Sequence, residues 1–485
     1  MTLTFLLDPT GPDPLYQQLY GAIRSAILSG QLAPGERLPS SRTLAASLGV
    51  SRSTTTLAFD LLLVEGYLTS RLGAGTYVST ELPERQLEAS PAGPAAPAAS
   101  TAYPLSDYGR RIAETGALRV AAASAPIAFM HAGGPALDQF PLDVWRALTQ
   151  RCLRNGNVPL GYEEDARGYS PLRAAIAEYV SRVRAVTCHP DQIVIVGGSQ
   201  QALDLTARLF VNPGDRVVIE EPGYLGARHV FGAYGADLVP VPVDEAGLLV
   251  DGLPRSGVRL VHTTPSHQFP TGAVLSLARR LALIAWADRA GALVLEDDYD
   301  SEYRYSDRPI PALQGLDRHG RVLYVGTFSK VLFPGLRLGY LIVPTALVGL
   351  VSRAKWLTDR HAPLLEQAVL ADFIREGHLG RHVRRMRTLY AARRACLIQA
   401  LARHLGDRVR FLGGQSGMHL LISLESGLPD CEVLARATAE GVGLASAAPY
   451  YARSAPGGQF VLGYAHLTEP AIEEGIVRLA RAVAG

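Results

Sequence analysis

The sequence predicts an α/β protein in two parts: a small three-helix unit with a β-hairpin, then a large doubly wound, mostly parallel sheet with a smaller α+β subdomain. Three observations predict it. Residues 14–78 carry helix-spaced leucines and isoleucines, punctuated by capping serines and stop glycines and closed by two β-like runs around a Gly-rich tip. From about residue 126, short apolar runs of strand length alternate with helical patterns, the βαβ rhythm of a parallel sheet. Between them, the Pro/Ala stretch 89–100 cannot hold a packed core and reads as a semi-rigid spacer. The expected boundaries are 12–79 for the first unit, 80–125 for the linker and 126–485 for the second.

Composition agrees. A chain of 485 residues exceeds one ordinary domain, and 48% apolar with 19% charged residues suits a globular protein with a large core. The net charge of +2 offers no bulk attraction for a polyanion. Cys152, Cys188, Cys396 and Cys431 are scattered without CxxC spacing, so neither a zinc site nor a disulfide framework is indicated, and a reducing cytoplasm is expected. The opening MTLTFLLDPTGPDP lacks the basic region and apolar core of a secretory signal. No apolar run reaches membrane-spanning length.

In the first unit, Leu15, Leu19, Ile23, Ile27 and Leu28 recur at helical spacing until Gly30. Ser40 is placed to cap a second helix through Leu44, Ala45 and Leu48, which Gly49 ends. Ser51 caps a third, with Ala58, Leu61 and Leu62 as its buried face. A short helix, a tight turn and a helix opening Ser-Arg-Ser-Thr-Thr make the helix-turn-helix pattern. In that geometry Ser51, Arg52, Thr54 and Thr55 offer donors to phosphates and base edges. A three-helix protein-interaction module is the other reading. Residues 1–78 hold five Arg and five Asp or Glu, so charge does not decide. Residues 66–78, GYLTSRLGAGTYV, read as a hairpin wing.

In the second unit the expected strands are Gln192–Val196, Arg216–Ile219, Asp237–Val241, Arg259–His262, Leu293–Glu296 and Val322–Val325. Helical patterns such as Gln200–Phe210 and Leu275–Arg289 separate several of them. From about 345 the pattern turns helical, then closes in strand-like runs at Leu420–Leu424 and Phe460–Leu462. Ligands of such sheets sit beyond the carboxyl ends of strands. Four of those ends carry suggestive residues. Gly-Gly-Ser199-Gln200 opens a helix, suiting either a phosphate or a plain turn. Glu-Glu-Pro-Gly-Tyr224 offers a stacking face. Glu-Asp297-Asp-Tyr299-Asp reads as a metal site, as plain surface, or as a buried carboxylate holding a pyridinium nitrogen protonated. Thr327-Phe-Ser-Lys330 is followed by Arg337, a fork for phosphate oxygens. The chain has only two lysines, Lys330 and Lys355. A desolvated lysine forms imines where arginine cannot, and that is how pyridoxal phosphate is held. A snorkelling surface lysine is the alternative.

These residues carry a family resemblance. Residues 12–78, in PLYQQLYGAIRSAILSGQLAPGERLPSSRTLAASLGVSRSTT and EGYL…GAGTYV, resemble the GntR winged-helix domain. Residues 126–485 resemble a fold-type I aminotransferase in YEEDARGYSPLRAAIAEY, GGSQQALDL, EEPGY, TPSHQFPTG, LEDDYDSEYRY and GTFSKVLFPGLRLGY. The whole chain resembles the MocR-type transcriptional regulators. The resemblance implies DNA contacts from Arg42, Arg52, Thr54, Thr55 and Gly75. It implies pyridoxal 5'-phosphate as cofactor, with Lys330 as the Schiff-base lysine and Asp297 on the ring nitrogen. Ser199, Gln200, Thr327 and Arg337 become phosphate ligands, Tyr224 stacks on the ring and Tyr299 approaches its phenolic oxygen. It also implies a homodimer reading two DNA half-sites, and a small-molecule effector: pyridoxal phosphate, alone or with an amino compound.

Three positions depart from the family pattern. Many GntR members have arginine where this chain has Thr56. The asparagine that commonly contacts the phenolic oxygen is Phe269, leaving His267 or Gln268 to take its role. The arginine that pairs with a substrate carboxylate falls at Val461, with Arg453 nearby. That last departure favours a sensor, with a working aminotransferase as the alternative.

Overall fold

The computed structural model describes residues 5–71, 75–82, 103–116, 125–129, 134–154, 161–162, 164–305, 310–413 and 416–484. The spacer at 89–100 and the wing tip at 72–74 lie outside the described residues. The chain divides into two compact units, Met1–Pro104 and Leu105–Gly485.

The first unit packs α1 (Leu15–Leu28), α2 (Ser41–Leu48) and α3 (Arg52–Val64) on the antiparallel hairpin β1 (Leu68–Arg71) and β2 (Gly75–Val78). Its core gathers Leu19, Ile23, Ile27, Leu44, Ala58, Phe59, Leu62 and Val78. Local chemistry sets the helix ends. The Ser40 hydroxyl accepts the Thr43 N–H at 3.1 Å, and Ser51 accepts the Thr54 N–H at 3.1 Å. Each such cap stabilises its helix by about 1 kcal/mol. Gly49 ends α2 in the left-handed region at φ 69°. Leu61, expected inside, is 37% exposed. The buried face of α3 is set by Ala58, Phe59 and Leu62, which leaves Leu61 about 100° round the helix from Leu62.

The expected linker 80–125 is too long at both ends. Leu82 belongs to the first unit's core. Asp107–Glu114 is a helix (α4), capped by Ser106 accepting the Gly109 N–H at 3.0 Å. It docks on the helix at Leu225–Ala233: Arg111 Nε donates to Ala233 O at 2.8 Å, and the Tyr108 and Tyr234 rings lie 4.9 Å apart. Averaged composition hid a short proline-free run with its own cap and two anchors.

The large unit opens with β3 (Ile127–Ala128), α5 (Leu142–Arg154) and α6 (Ser170–Arg184). Then come β4 (Ile193–Val196), α7 (Ser199–Phe210), β5 (Arg216–Glu221), α8 (Leu225–Ala233), β6 (Asp237–Asp244), β7 (Gly247–Leu248) and β8 (Val258–Thr263). α9 (Leu277–Ala290), β9 (Leu293–Asp298), α10 (Leu313–Leu316), β10 (Val322–Thr327) and β11 (Gly339–Ile342) complete an eight-stranded sheet. Its order is β4-β11-β10-β9-β8-β5-β6-β7. Strands β4, β10, β9, β8, β5 and β6 share one direction, while β11 and β7 oppose it. The central runs IVIV and VLYV are buried on both faces, as a sheet covered by helices requires. One face packs against α5, α6 and helix Leu364–Arg375, the other against α7, α8 and helix Val348–Asp359. Strand β11 was not legible as a strand. It inserts because glycines allow it: a Cβ on Gly339 would stand 2.8 Å from Gly326 O and 3.0 Å from Gly198 Cα.

Helices α11 (Val348–Asp359), α12 (Leu364–Arg375) and α13 (His378–Leu405) lead to the smaller subdomain. There β12 (Val409–Phe411), β13 (His419–Leu424), β15 (Ala445–Ser446) and β16 (Gln459–Gly463) form a sheet in the order β12-β13-β16-β15. α13, α14 (Asp430–Ala439) and α15 (Glu469–Ala484) cover it, and β14 (Val442–Gly443) pairs with β3.

Candidate cofactor site and nucleic-acid interface

The parallel strands deliver their carboxyl ends to one edge of the large sheet, and the candidate residues stand there. After β4 the chain turns through Gly197 and Gly198. Gly198, at φ 114°, is the N-cap of α7, so Ser199 and Gln200 occupy its first turn. Amides of a first turn have no intrahelical acceptor and suit an anion. Arg337 sits in the left-handed region at φ 51°, which swings its guanidinium over this turn. A Cβ on Gly198 would meet that guanidinium at 3.6–3.8 Å. Thr327 ends β10, opposite Gly339, which in turn faces Val196. Ser199, Gln200, Thr327 and Arg337 are thereby brought round one turn.

The acidic cluster is resolved by strand alternation. Glu296 and Asp298 point to one face. There Glu296 accepts the Leu313 and Gln314 N–H groups, and Asp298 accepts Arg184 Nε at 2.8 Å and Tyr324 Oη at 2.7 Å. Asp297 points to the other face, 4% exposed. Its Oδ2 lies 3.5 Å from His262 Nε2, and its Oδ1 accepts no hydrogen bond. The carboxylates therefore do not converge on one point, which argues against a metal held by the cluster as a whole. A buried carboxylate oxygen left without a donor is costly. The cationic N–H of a pyridinium ring would satisfy it.

Lys330 follows β10, the strand beside β9, where Asp297 pairs with Val325. Burial pushes its amine below the ordinary lysine range, against the pull of Asp300. A larger fraction is thereby neutral and nucleophilic. Tyr224, the residue before α8, is half-buried, and its ring folds back over Gly226. A Cβ on Gly226 would stand 2.6–2.7 Å from that ring, so only glycine permits the pose.

Burial, then the charges of Asp300 and Asp297, hold the Tyr299 phenol well above its ordinary range, so it stays protonated. Its oxygen lies 2.9 Å from His267 Nδ1, which is also 3.0 Å from Asp300 Oδ2. A carboxylate only accepts, so Nδ1 carries the proton and gives it to Asp300. The phenol's own proton is then directed elsewhere, as contact with a phenolate oxygen demands. Of the two stand-ins for the missing asparagine, Gln268 is engaged inside its turn. Its Nε2 donates to Pro222 O at 2.8 Å and Phe269 O at 2.7 Å, and its Oε1 accepts Thr271 Oγ1 at 2.6 Å. His267 alone reaches Tyr299.

Val461 is fully buried in β16. It packs with Leu225, Phe269, Leu421, Ala447 and Tyr450, an apolar layer against Tyr224 and Tyr299. Arg453 is exposed and gives its backbone N–H to Glu221 at 2.8 Å.

In the first unit, Arg42, Ser51 and Arg52 are exposed at the openings of α2 and α3, and Thr54 is half-buried. The Ser51 hydroxyl is shared with Thr54 Oγ1 at 2.8 Å as well as with the cap. Thr55 corrects the expectation: it is fully buried, because position 55 precedes Ala58 and Phe59 by one helical turn and shares their inward face. Its hydroxyl therefore offers no donor at the surface of the helix. Thr56 is exposed but turns its hydroxyl onto Arg52 O at 2.9 Å. Gly75, at φ 113°, lies against the Arg37 guanidinium, which a Cβ there would meet at 3.0–3.5 Å. Arg37, exposed beside the wing, is a cation the sequence reading missed. The tight Gly-Glu-Arg-Leu-Pro turn before Ser40 was its only signal.

A winged-helix head with exposed arginines, joined to an α/β unit whose strand ends fit pyridoxal 5'-phosphate, defines a class: DNA-binding regulators with an aminotransferase-like effector domain. Residues 135–479 match the family "Aminotransferase class I and II", and residues 15–78 match "Bacterial regulatory proteins, gntR family". The chain is 41% identical over 478 residues to the probable rhizopine catabolism regulatory protein MocR of Rhizobium meliloti, covering 98% of this chain and 95% of that protein. It is 30% identical over 481 residues to the pyridoxine biosynthesis transcriptional regulator PdxR of Corynebacterium glutamicum, covering 99% and 98%. Among solved structures, the α-aminoadipate aminotransferase LysN of Thermus thermophilus superposes with TM-score 0.68 at 33% identity, covering 74% of this chain and 92% of that one. The chain belongs to the MocR-type transcriptional regulators, a GntR helix-turn-helix joined to an aminotransferase class I and II domain whose cofactor is pyridoxal 5'-phosphate. Among the described residues no helix is long and apolar enough to cross a membrane.

Proposed function

We propose that this regulator senses pyridoxal phosphate, alone or with an amine that reacts at Lys330, and converts occupancy into altered binding of its promoter. When bound, the cofactor supplies an electrophilic carbon and an electron sink. The chain's own groups do the rest. Lys330 supplies a partly neutral amine, and Asp297 holds the ring nitrogen protonated. Tyr299 donates to the phenolic oxygen and Tyr224 covers one face. The α7 turn and Arg337 hold the phosphate. Arg42, Ser51, Arg52, Thr54 and Gly75 meet the DNA. We place the protein in the cytoplasm as a homodimer reading two half-sites, as the family resemblance implies. Effector binding would then act by shifting a two-state equilibrium.

The observation that carries the reading is the buried Asp297 Oδ1 without a donor, on the strand beside Lys330. The buried, apolar setting of Val461 supports sensing over turnover. A substrate carboxylate there would lie in an uncharged layer without the bidentate partner that offsets its desolvation. Gel shifts on the DNA flanking its own gene, with and without pyridoxal phosphate, test the proposal. Binding that responds to the cofactor is expected, as is loss of the cofactor's borohydride-fixable link in Lys330→Ala. Amino-group transfer at about 1 per second or faster, without cofactor-dependent DNA binding, would replace it with the enzyme reading.

A further inference from the structure

Of the two lysines, Lys355 takes no part in the site above, yet its side chain is 0% exposed. It lies near the end of α11 and donates to Asp359 Oδ1 one turn on. The other oxygen, Asp359 Oδ2, accepts Gln201 Nε2 at 2.9 Å. Gln201 Oε1 accepts the Gly197 N–H at 2.7 Å. A continuous chain of donors and acceptors therefore runs from a buried lysine amine to the glycine turn that opens α7.

The direction of this chain is forced. The Asp359 carboxylate only accepts, so Lys355 donates to it. A carboxylate cannot donate, so Gln201 must show it the amide N–H face and turn its oxygen to Gly197. Gly197 is held by its N–H, and the next residue, Gly198, keeps the φ of 114° that starts the helix at Ser199 beneath the Arg337 guanidinium. A second contact ties the same two helices: Arg208 of α7 donates to Thr358 Oγ1 of α11 at 3.0 Å.

We propose that Lys355, Asp359 and Gln201 are positioning residues that hold the Gly197–Gly198 turn in the form that receives the cofactor's phosphate ester. The network sets how strongly this regulator distinguishes a phosphorylated aldehyde from its unphosphorylated counterpart. It acts through the turn and touches no ligand atom. The inference rests on the reading that the cofactor is held at Lys330.

The test compares pyridoxal 5'-phosphate with pyridoxal on the full-length chain, by absorbance titration, in wild type and Gln201→Leu. Wild type should bind the phosphorylated form more tightly. Gln201→Leu should lower that preference about tenfold, the scale of one hydrogen bond. Affinity for pyridoxal, which lacks the phosphate that the turn receives, should stay unchanged. Asp359→Asn, which keeps the shape but frees the direction of the chain, should lower the preference by a smaller factor and serves if Gln201→Leu does not fold. Inorganic phosphate should compete with the cofactor less well in both variants. A parallel fall in both affinities would show general support of the fold and overturn the inference, as would an unchanged preference. Failure of wild type to bind either aldehyde would instead sink the Lys330 reading, and this inference with it.

Discussion

The two units use polar groups in opposite ways. In the DNA-reading head, Arg42, Ser51 and Arg52 are exposed, and the hydroxyls there are already engaged: Ser51 with the Thr54 amide and hydroxyl, and the neighbouring Thr56 with its own helix. In the large unit Asp297, Thr327 and His267 are buried, and one buried oxygen, Asp297 Oδ1, accepts nothing from the protein. An exposed site can keep its groups in water until a partner arrives. A chemical site must leave a buried valence open for its cofactor and bear the cost in the meantime. A substitution that removes a recognition contact should therefore act on binding alone, whereas one in the large unit should move binding and stability together.

Asp297→Asn should have the largest effect. Removing the charge opposite a pyridinium should weaken cofactor binding by about 1.5–3 kcal/mol, roughly tenfold to a hundredfold, in an absorbance titration. DNA affinity without cofactor should not move. Arg52→Ala comes next. It should weaken DNA binding by about 1–3 kcal/mol in gel shifts at fixed salt, leaving the bound cofactor's spectrum as it was. A change in both readouts would break the contrast between the units.

Glu302→Gln probes the buried side through pH. Burial, then the charge of Asp298, pushes the Glu302 carboxyl up to about 7 from its ordinary 4.5. The folded chain keeps a proton that the unfolded chain releases. Its contribution to stability is fully present below about 4.5 and is lost as pH rises through about 7. The variant should lose that decline in urea melts across this range, with the amide still able to accept from Tyr179 Oη, now 3.1 Å from Glu302 Oε1. Thr55→Val should have the smallest effect. The position is buried and its hydroxyl accepts and donates nothing, so stability should stay within about 0.5 kcal/mol or rise, and DNA affinity should hold. A loss of DNA affinity equal to that of Arg52→Ala would return Thr55 to the interface.

Much of the fold was legible in the sequence because it is local. Ser40, Gly49 and Ser51 bound their helices as the caps dictate, and the six expected strands of the large sheet all form within a few residues of their expected limits. Lys330 stood out by scarcity and Asp297 by its place at a strand end. What was illegible depended on phase or distance. Thr54 and Thr55 are neighbours in sequence but stand about 100° apart on a helix, and only the packing of Ala58 and Phe59 says which one is inside. Strand β11 lacks a sequence signature of its own and exists because Gly326, Gly339 and Gly198, without side chains, approach one another closely.

From the order of residues alone came a helix-turn-helix head, a doubly wound sheet and a lysine fit for imine chemistry, since caps, periodicity and the rarity of a residue type are properties of neighbours along the chain. Tertiary structure alone decided that Asp297 keeps a buried oxygen without a partner while Asp298 is claimed by Arg184, that residues 107–114 dock as a helix, and that Lys355 is linked through Asp359 and Gln201 to Gly197. Those outcomes are set by hydrogen bonds between residues up to 158 positions apart, whose partners are chosen by the packing of whole elements rather than by the segments that carry them.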